Sequence, residues 1–464
     1  MTNQYEQISY AKTVYGEEEI DAVIKCLNES TQMGNYSRRF EAEIANLFSK
    51  KHCLYVNSGS SALYIGVESF NFEKGSEVIT PALTFSTSVG CIVKNGLIPV
   101  FVDVEPLTYC IDCNQIEEMI TDKTVAILAP NLMGNLCNWP EIRKIADKYN
   151  LIVIEDSADT LGATIAGEKS GMYSDMSITS FYGSHIINCA GNGGALAIND
   201  DKVMEKAKLL RSWGRSSSLF DEKSEAIENR FNVNLDGLEY DAKFVFEAVG
   251  YNLEGNEVGA SFGLAQLEKL DKNILTRQKN FKKQCEFFAR HSEYFSNPIE
   301  PVAYNTAWLA FPILISENSP FSRKDFQIYL EERNIQTRVV FTGNVLRQPM
   351  TKGIKKVERP EGYPNADAVM AYADYWLSGP PAITVSEQGY YSPTTTIQNV
   401  MPKDKYDFWY EGKPWVGAPD RGIQEGDLRD GGSLAERAAH VTYWHQWPDE
   451  YDHLMMKWDE FLSA

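Results

Sequence analysis

Residues 179–199 read TSFYGSHIINCAGNGGALAIN, and this stretch decides how the rest of the chain is read. A small hydroxyl residue, Ser180, is followed five positions later by His185. The glycine-rich turn Gly191-Asn192-Gly193-Gly194 then leads into the apolar run ALAI. A short apolar run leaving such a turn reads as a strand, and SDMSITSFY before it reads as another. Between them lies a loop carrying a hydroxyl and an imidazole, the layout of an anchoring turn for a small ligand.

Working outward, the same alternation continues upstream. HCLYV, SEVITPAL, IPVFVDV, VAILAP and LIVIEDS are strand-like runs; with SDMSITSFY and GALAIND they make seven. SALYIGVESF and EIRKIADKYN are helical segments lying between them. Strands alternating with helices predict a mostly parallel sheet covered on both faces. Residues 1–50 read as an arm and two helices, and residues 51–275 as the large α/β domain. The long helical pattern FGLAQLEKLDKNILTRQKNFKKQCEFFARH carries the chain into a smaller α/β domain over 276–387. That domain is expected to hold the strands WLAFPILI and TRVVF around the helix RKDFQIYLEERN. Residues 388–450 form a Trp-, Gly- and Pro-rich extension, and 451–464 a closing helix.

The chain has 464 residues and a net charge of −20. Such an acidic balance argues against nucleic acid, whose phosphates attract lysine and arginine. No run approaches the roughly 18 uncharged apolar residues of a membrane span. The N-terminal stretch is polar and acidic rather than a leader. A cytoplasmic setting without a membrane partner is therefore expected. The eight cysteines are scattered, with one CxxC at Cys110 and Cys113 and none between Cys189 and Cys285. This reads as incidental thiols rather than a metal site.

Three further stretches carry chemistry. Asn57-Ser58-Gly59-Ser60-Ser61 lies between a strand and a helix, where backbone amides and hydroxyls can cradle a phosphate. Phe85, in TFSTS, follows a strand end and can stack on a flat ring. In IVIEDSAD, Glu155 and Asp156 end an apolar strand and Asp159 follows. A carboxylate at the carboxyl end of a parallel strand points to the usual ligand crevice. Arg338 and Arg347 are candidates for a carboxylate or an anionic substrate, or for surface ion pairs.

In order and spacing, NSGSSAL, PALTFSTS, IEDSAD, SFYGSH and GYN…GASFGLAQLEKLD resemble the DegT/DnrJ/EryC1/StrS family of sugar aminotransferases. The resemblance implies the aspartate-aminotransferase-like fold (fold type I) and a pyridoxal 5'-phosphate or pyridoxamine 5'-phosphate cofactor. It implies that Gly59, Ser60 and Ser180 bind the cofactor phosphate, Phe85 stacks on the ring, and Asp156 holds the pyridine nitrogen. Asp159 stands where the aminotransferases commonly have glutamine. Asn252 would reach the phosphate of a neighbouring subunit, implying a homodimer with shared sites.

His185 occupies the position of the family's lysine. A histidine there resembles the sugar 3-dehydratase branch, which does not hold its cofactor covalently. The implied reaction removes the C3 hydroxyl of a nucleotide-linked 4-keto-6-deoxyhexose, with glutamate re-aminating the cofactor. Imidazole, whose ordinary pKa is about 6.5, can accept a proton and return it to the departing hydroxyl. Iron–sulfur relatives carry clustered cysteines after a Trp-Gly-Arg like Trp213-Gly214-Arg215; RSSSLFDEKSEAIENRF has none, so no cluster is expected. The alternatives are an aminotransferase that tolerates His185, or a catalytically silent binding relative.

Overall fold

A computed structural model describes residues 8, 14–220, 230–231, 233–317 and 319–369, together with 403, 407, 413 and 414. The chain divides into two units, Met1–Met370 and Ala371–Ala464. In the second, Asp407 pairs with Lys403 at 2.6 Å and Lys413 at 3.1 Å. Those residues apart, the Trp-rich extension, like the closing helix, lies outside the described residues.

The first unit is built on a seven-stranded sheet. Its strands are β1 (His52–Val56), β2 (Glu77–Pro81), β3 (Ile98–Val102), β4 (Thr124–Pro130), β5 (Ile152–Asp156), β6 (Met176–Ser180) and β7 (Gly194–Ile198). Their order is β1-β7-β6-β5-β4-β2-β3. β3, β2, β4, β5 and β6 pair in parallel, while β7 runs antiparallel between β6 and β1. This is the mostly parallel sheet that the alternating pattern implied. Runs such as IPVFV and EVITP are buried at every position, because helices cover both faces.

One face packs Leu54, Ile65, Val78, Leu128 and Ile154 in a continuous apolar cluster. The other packs Ile79, Val100, Ile127 and Val153 around the fully buried Trp139. Cys110, Cys113 and Cys137 are buried in this second cluster as free thiols.

The helices flanking the site are α1 (Glu17–Glu29), α2 (Asn35–Leu47), α3 (Gly59–Ser69), α4 (Ser86–Lys94), α5 (Trp139–Tyr149) and α6 (Asp201–Arg211). The helical pattern expected to run unbroken from Phe262 divides into α7 (Glu257–Leu267) and α8 (Leu270–Phe288). At the junction Lys269 donates to Glu18 at 3.0 Å and Glu19 at 2.7 Å, tying the break to α1. α2 has no side-chain cap of its own. Instead Gly34, Tyr36 and Ser37 donate their amides, at 2.7, 2.8 and 2.9 Å, to the buried carboxylate of Glu257. That distant carboxylate satisfies donors a helix start leaves open and complements its dipole.

The C-terminal part of this unit departs most from expectation. α9 (Arg323–Glu331) forms where RKDFQIYLEERN predicted it. Of WLAFPILI, only Leu314–Ile315 is strand, paired with Phe295–Ser296. Trp308 takes a left-handed φ of 50°, and the amides of Leu309 and Ala310 both donate to the Met133 carbonyl. The backbone there docks onto a loop instead of extending a sheet. TRVVF is likewise not a strand, for Phe341 is left-handed at φ 44°.

Candidate active site

A shared strand direction, for β1 through two antiparallel pairings with β7 between, brings the carboxyl ends of β1, β2, β4, β5 and β6 to one edge of the sheet, where a crevice is expected. A cavity opening to solvent lies there. From the turn after β1 come Gly59 and Ser60; from the β2 end, Phe85 and Thr87; from β4, Pro130 and Asn131. The β5 end supplies Asp156 and Asp159, the β6 end supplies Ser180 and then His185, and Phe341 closes one side. Seven of the residues singled out in the sequence thus share one cavity: Gly59, Ser60, Phe85, Asp156, Asp159, Ser180 and His185.

Close approach of two chain segments sets the floor. A Cβ on Gly194, at the start of β7, would lie 2.2 Å from the Ser58 carbonyl carbon and 2.3 Å from the Gly59 nitrogen. One on Gly59 would lie 2.7 Å from the Ser180 Cβ. Glycine at both places lets the first turn of α3 sit beside the end of β6. Ser58 caps that helix, accepting from the Ser61 amide at 3.1 Å, and the Ser60 and Thr87 hydroxyls lie 3.1 Å apart. Free amides at a helix start beside three hydroxyl side chains suit a phosphate.

Alternation along β5 sends its two acids to opposite faces. Glu155 faces away from the cavity, accepting from Ser157 and Ser177, each at 2.7 Å, and from Asn131 at 3.2 Å. Asp156 faces the cavity, where Ser88 Oγ donates at 3.0 Å and the Ala158 amide at 3.1 Å. Burial pushes its carboxyl up to about 6 despite these two bonds. Among the described residues no lysine, arginine or histidine pairs with it. A buried carboxylate held only by neutral donors fits a protonated ring nitrogen, the cation the protein does not supply. Asp159 accepts from the Met133 amide at 2.9 Å, and burial raises it to about 7, with Asp156 adding like-charge repulsion.

His185 Nδ1 lies 3.3 Å from the Ser180 carbonyl oxygen, which can only accept. The neutral ring therefore carries its proton on Nδ1 and leaves the Nε2 lone pair available. Burial lowers its pKa to about 4, opposed by the bond to Ser180 and assisted by the charge of Arg277. Tyr182 packs edge-on against the imidazole, with centroids 5.9 Å apart.

Asn252, Arg338 and Arg347 are not among the cavity's lining. Asn252 is exposed and bridges Ser212 through its backbone. Arg338 donates to the Thr337 carbonyl at 2.6 Å and lies 3.8 Å from Glu331. Arg347 makes a two-pronged pair with Asp367, at 2.6 and 2.9 Å. Thr87, Asn131 and Phe341 line the cavity without having been singled out. Asn131 directly follows β4, and its position at a strand end was the signal; Thr87, in the first turn of α4, and Phe341, in a segment that reads as a strand, had none.

Among the described residues no helix is long and apolar enough to cross a membrane, and no group of three His, Cys, Asp or Glu side chains could hold a metal.

Comparison with known proteins agrees with this geometry. The lipopolysaccharide biosynthesis protein RfbH of Salmonella typhimurium is 33% identical over 388 residues, 81% of this chain and 88% of that one. The GDP-perosamine synthase of Caulobacter vibrioides is 29% identical, over 72% of this chain and 84% of its own. Among solved structures, an E. coli GDP-4-keto-6-deoxy-D-mannose-3-dehydratase with bound hydrated PLP superposes with a TM-score of 0.71 at 28% identity. That match covers 78% of this chain and 93% of the other. Residues 14–388 match the DegT/DnrJ/EryC1/StrS aminotransferase family model, and the chain belongs to that family.

Proposed function

We propose that this protein is a pyridoxamine-phosphate-dependent 3-dehydratase of a nucleotide-linked 4-keto-6-deoxyhexose. The observation that carries the reading is His185 in the cavity at the family's lysine position, neutral and with Nε2 unengaged by its bond to Ser180. An imidazole forms no covalent link to the cofactor aldehyde, so the cofactor is held by contacts alone. Gly59, Ser60 and Ser180 hold its phosphate, Phe85 covers one ring face, and Asp156 keeps the ring nitrogen protonated. When bound, the cofactor supplies a primary amine that condenses with the C4 ketone and a ring that accepts electrons.

His185 then does the proton work. Nε2 would accept the proton given up by the carbon that bears the cofactor's amine and deliver it to the C3 hydroxyl, which would leave as water. Its low pKa in the free protein keeps it unprotonated at neutral pH, and an anionic phosphate nearby raises it toward the working range. Burial of Asp159 keeps it largely protonated in mildly acidic solution, so it can donate as well as accept a hydrogen bond. Glutamate is the proposed amino donor, and the proposed assembly is a homodimer in which Asn252 reaches the neighbouring subunit's cofactor phosphate. Arg338 and Arg347 are proposed for the outer, nucleotide-bearing part of the substrate. No iron–sulfur cluster takes part in this scheme.

The test is to incubate purified protein with pyridoxamine phosphate and a panel of GDP-, dTDP- and CDP-linked 4-keto-6-deoxyhexoses and to follow product mass. A keto-sugar product lighter by one oxygen atom is expected, the C3 hydroxyl replaced by hydrogen, together with ammonia and the aldehyde form of the cofactor. Amine transfer without dehydration would overturn the reading in favour of an aminotransferase, the activity to which the similarity to perosamine synthase points. A borohydride-trappable yellow protein would overturn non-covalent binding.

A further inference from the structure

Among the described lining residues, Phe341 alone comes from beyond residue 185. Its backbone is left-handed at φ 44°, a conformation bulky side chains rarely adopt. Something must hold it there, and the contacts are on either side. Thr342 Oγ1 donates to the Thr84 carbonyl at 2.6 Å, next to Phe85, and the Val345 amide donates to the Ala82 carbonyl at 2.8 Å. Gln348 Nε2 closes the turn on the Thr342 carbonyl at 2.8 Å, and Asn344 Nδ2 reaches Asp367 at 2.6 Å. The loop is thereby stapled to the segment between β2 and α4. The strained residue turns its ring edge-on to Phe85, with centroids 5.9 Å apart and planes at 76°.

The consequence is chemical. The floor mixes hydroxyl and carboxyl groups with apolar side chains such as Leu63, Leu132 and Ile178, whereas the side of Phe85 and Phe341 offers a fixed aromatic surface with no donor or acceptor. A hydroxyl pressed against it would lose water without gaining a partner, while a methyl would gain contact. We propose that Phe341 is a specificity-determining residue whose ring is the apolar wall against which the deoxygenated C6 of the hexose packs. This rests on the nucleotide-sugar reading above.

The experiment measures calorimetric dissociation constants on cofactor-loaded, full-length protein with two matched pairs. These are GDP-6-deoxy-D-mannose with GDP-D-mannose, and dTDP-6-deoxy-D-glucose with dTDP-D-glucose, each differing only at C6. The wild type is expected to favour the 6-deoxy member of at least one pair by about ten-fold, the scale of one small group in an apolar pocket. Phe341→Ser is expected to bring the ratio close to one, and Phe341→Leu to keep most of it. Phe341→Gly gives up the same ring but suits the left-handed backbone, so it is expected to melt no lower than Phe341→Ser while the preference is lost. Binding with no preference in the wild type, or with a ratio unchanged in F341S and F341G, overturns the wall and leaves the nucleotide-sugar reading standing. Failure of the wild type to bind any of the four overturns that reading and the wall with it.

Discussion

The cavity has two kinds of border. Its floor, residues 57–185, consists of strand and helix ends: Gly59 and Ser60 start α3, Asp156 ends β5 and Ser180 ends β6. Opposite it stands Phe341, in one of two loops, residues 306–310 and 337–345, that dock on the floor by donating to its carbonyl groups. Thr306 donates to the Gly134 carbonyl at 2.5 Å and Leu309 to the Met133 carbonyl at 3.0 Å. Met133, Trp308 and Phe341 all take left-handed backbone along this contact, at φ 60°, 50° and 44°. The floor is placed by regular structure that would form around any ligand. The docked border is placed by packing that tolerates strain, and strained backbone tends to collect where function needs one geometry. Chemistry is expected to reside in the first and selectivity in the second.

The sharpest break in that division is at His185. Replacing it with alanine removes the proposed proton carrier while leaving the sheet and the cradle intact. Turnover should fall by about 10²- to 10⁴-fold with little change in melting temperature, as read by product mass and thermal denaturation. A comparable loss on changing an exposed residue of 306–310 or 337–345, with His185 intact, would erase the distinction.

Next in size is Gly134→Ala. Gly134 has φ 89°, and a Cβ there would sit 2.4 Å from the Leu309 nitrogen. Backbone on backbone cannot give way cheaply, so the 306–310 segment must lift from the floor. A loss of at least about 3 kcal/mol is expected in urea denaturation. Substrate affinity should weaken while cofactor binding, a property of the floor, is largely kept.

The smallest effect sharpens the comparison from the floor's side. Asp159 rises from an ordinary 3.8 to about 7 in the folded protein. Between those values the folded state holds a proton that the unfolded state has released. Its contribution to stability is therefore full below pH about 4 and is lost as pH rises through about 7. His185, lowered from 6.5 to about 4, runs the other way: its contribution is present above pH 6.5 and is lost as pH falls through about 4. Asp159→Asn removes the first contribution alone. The variant without cofactor should be more stable than wild type by a few degrees at pH 8, with the gain vanishing toward pH 4, by calorimetry across pH. A constant offset would show that Asp159 acts through packing and not through its proton.

Much of the floor was legible in the sequence because its signals are local. Strand runs end at residues that line the cavity, so Asp156, Ser180 and the Ser/Gly turn lie where periodicity and turn residues point. Alternation also explains why Glu155, adjacent to Asp156, is spent on the far face with Ser157 and Ser177. The capping of α2 by Glu257 was not legible, since more than two hundred residues separate donor and acceptor. WLAFPILI failed for a related reason: its β-prone side chains are real, but the Leu309 and Ala310 amides that a sheet would have used donate to the Met133 carbonyl.

By itself, then, the sequence determined the strands of the seven-stranded sheet, because hydrophobic period and turn chemistry act over a few residues, while the family resemblance of its motifs implied the seven residues that gather at the sheet edge, His185 among them. Only the tertiary structure decided the protonation and the wall. Burial, which no local pattern sets, lowers His185 and raises Asp156 and Asp159. Phe341 reaches the cavity because a loop more than 150 residues downstream of His185 is stapled to the end of β2 against the preference of its own backbone.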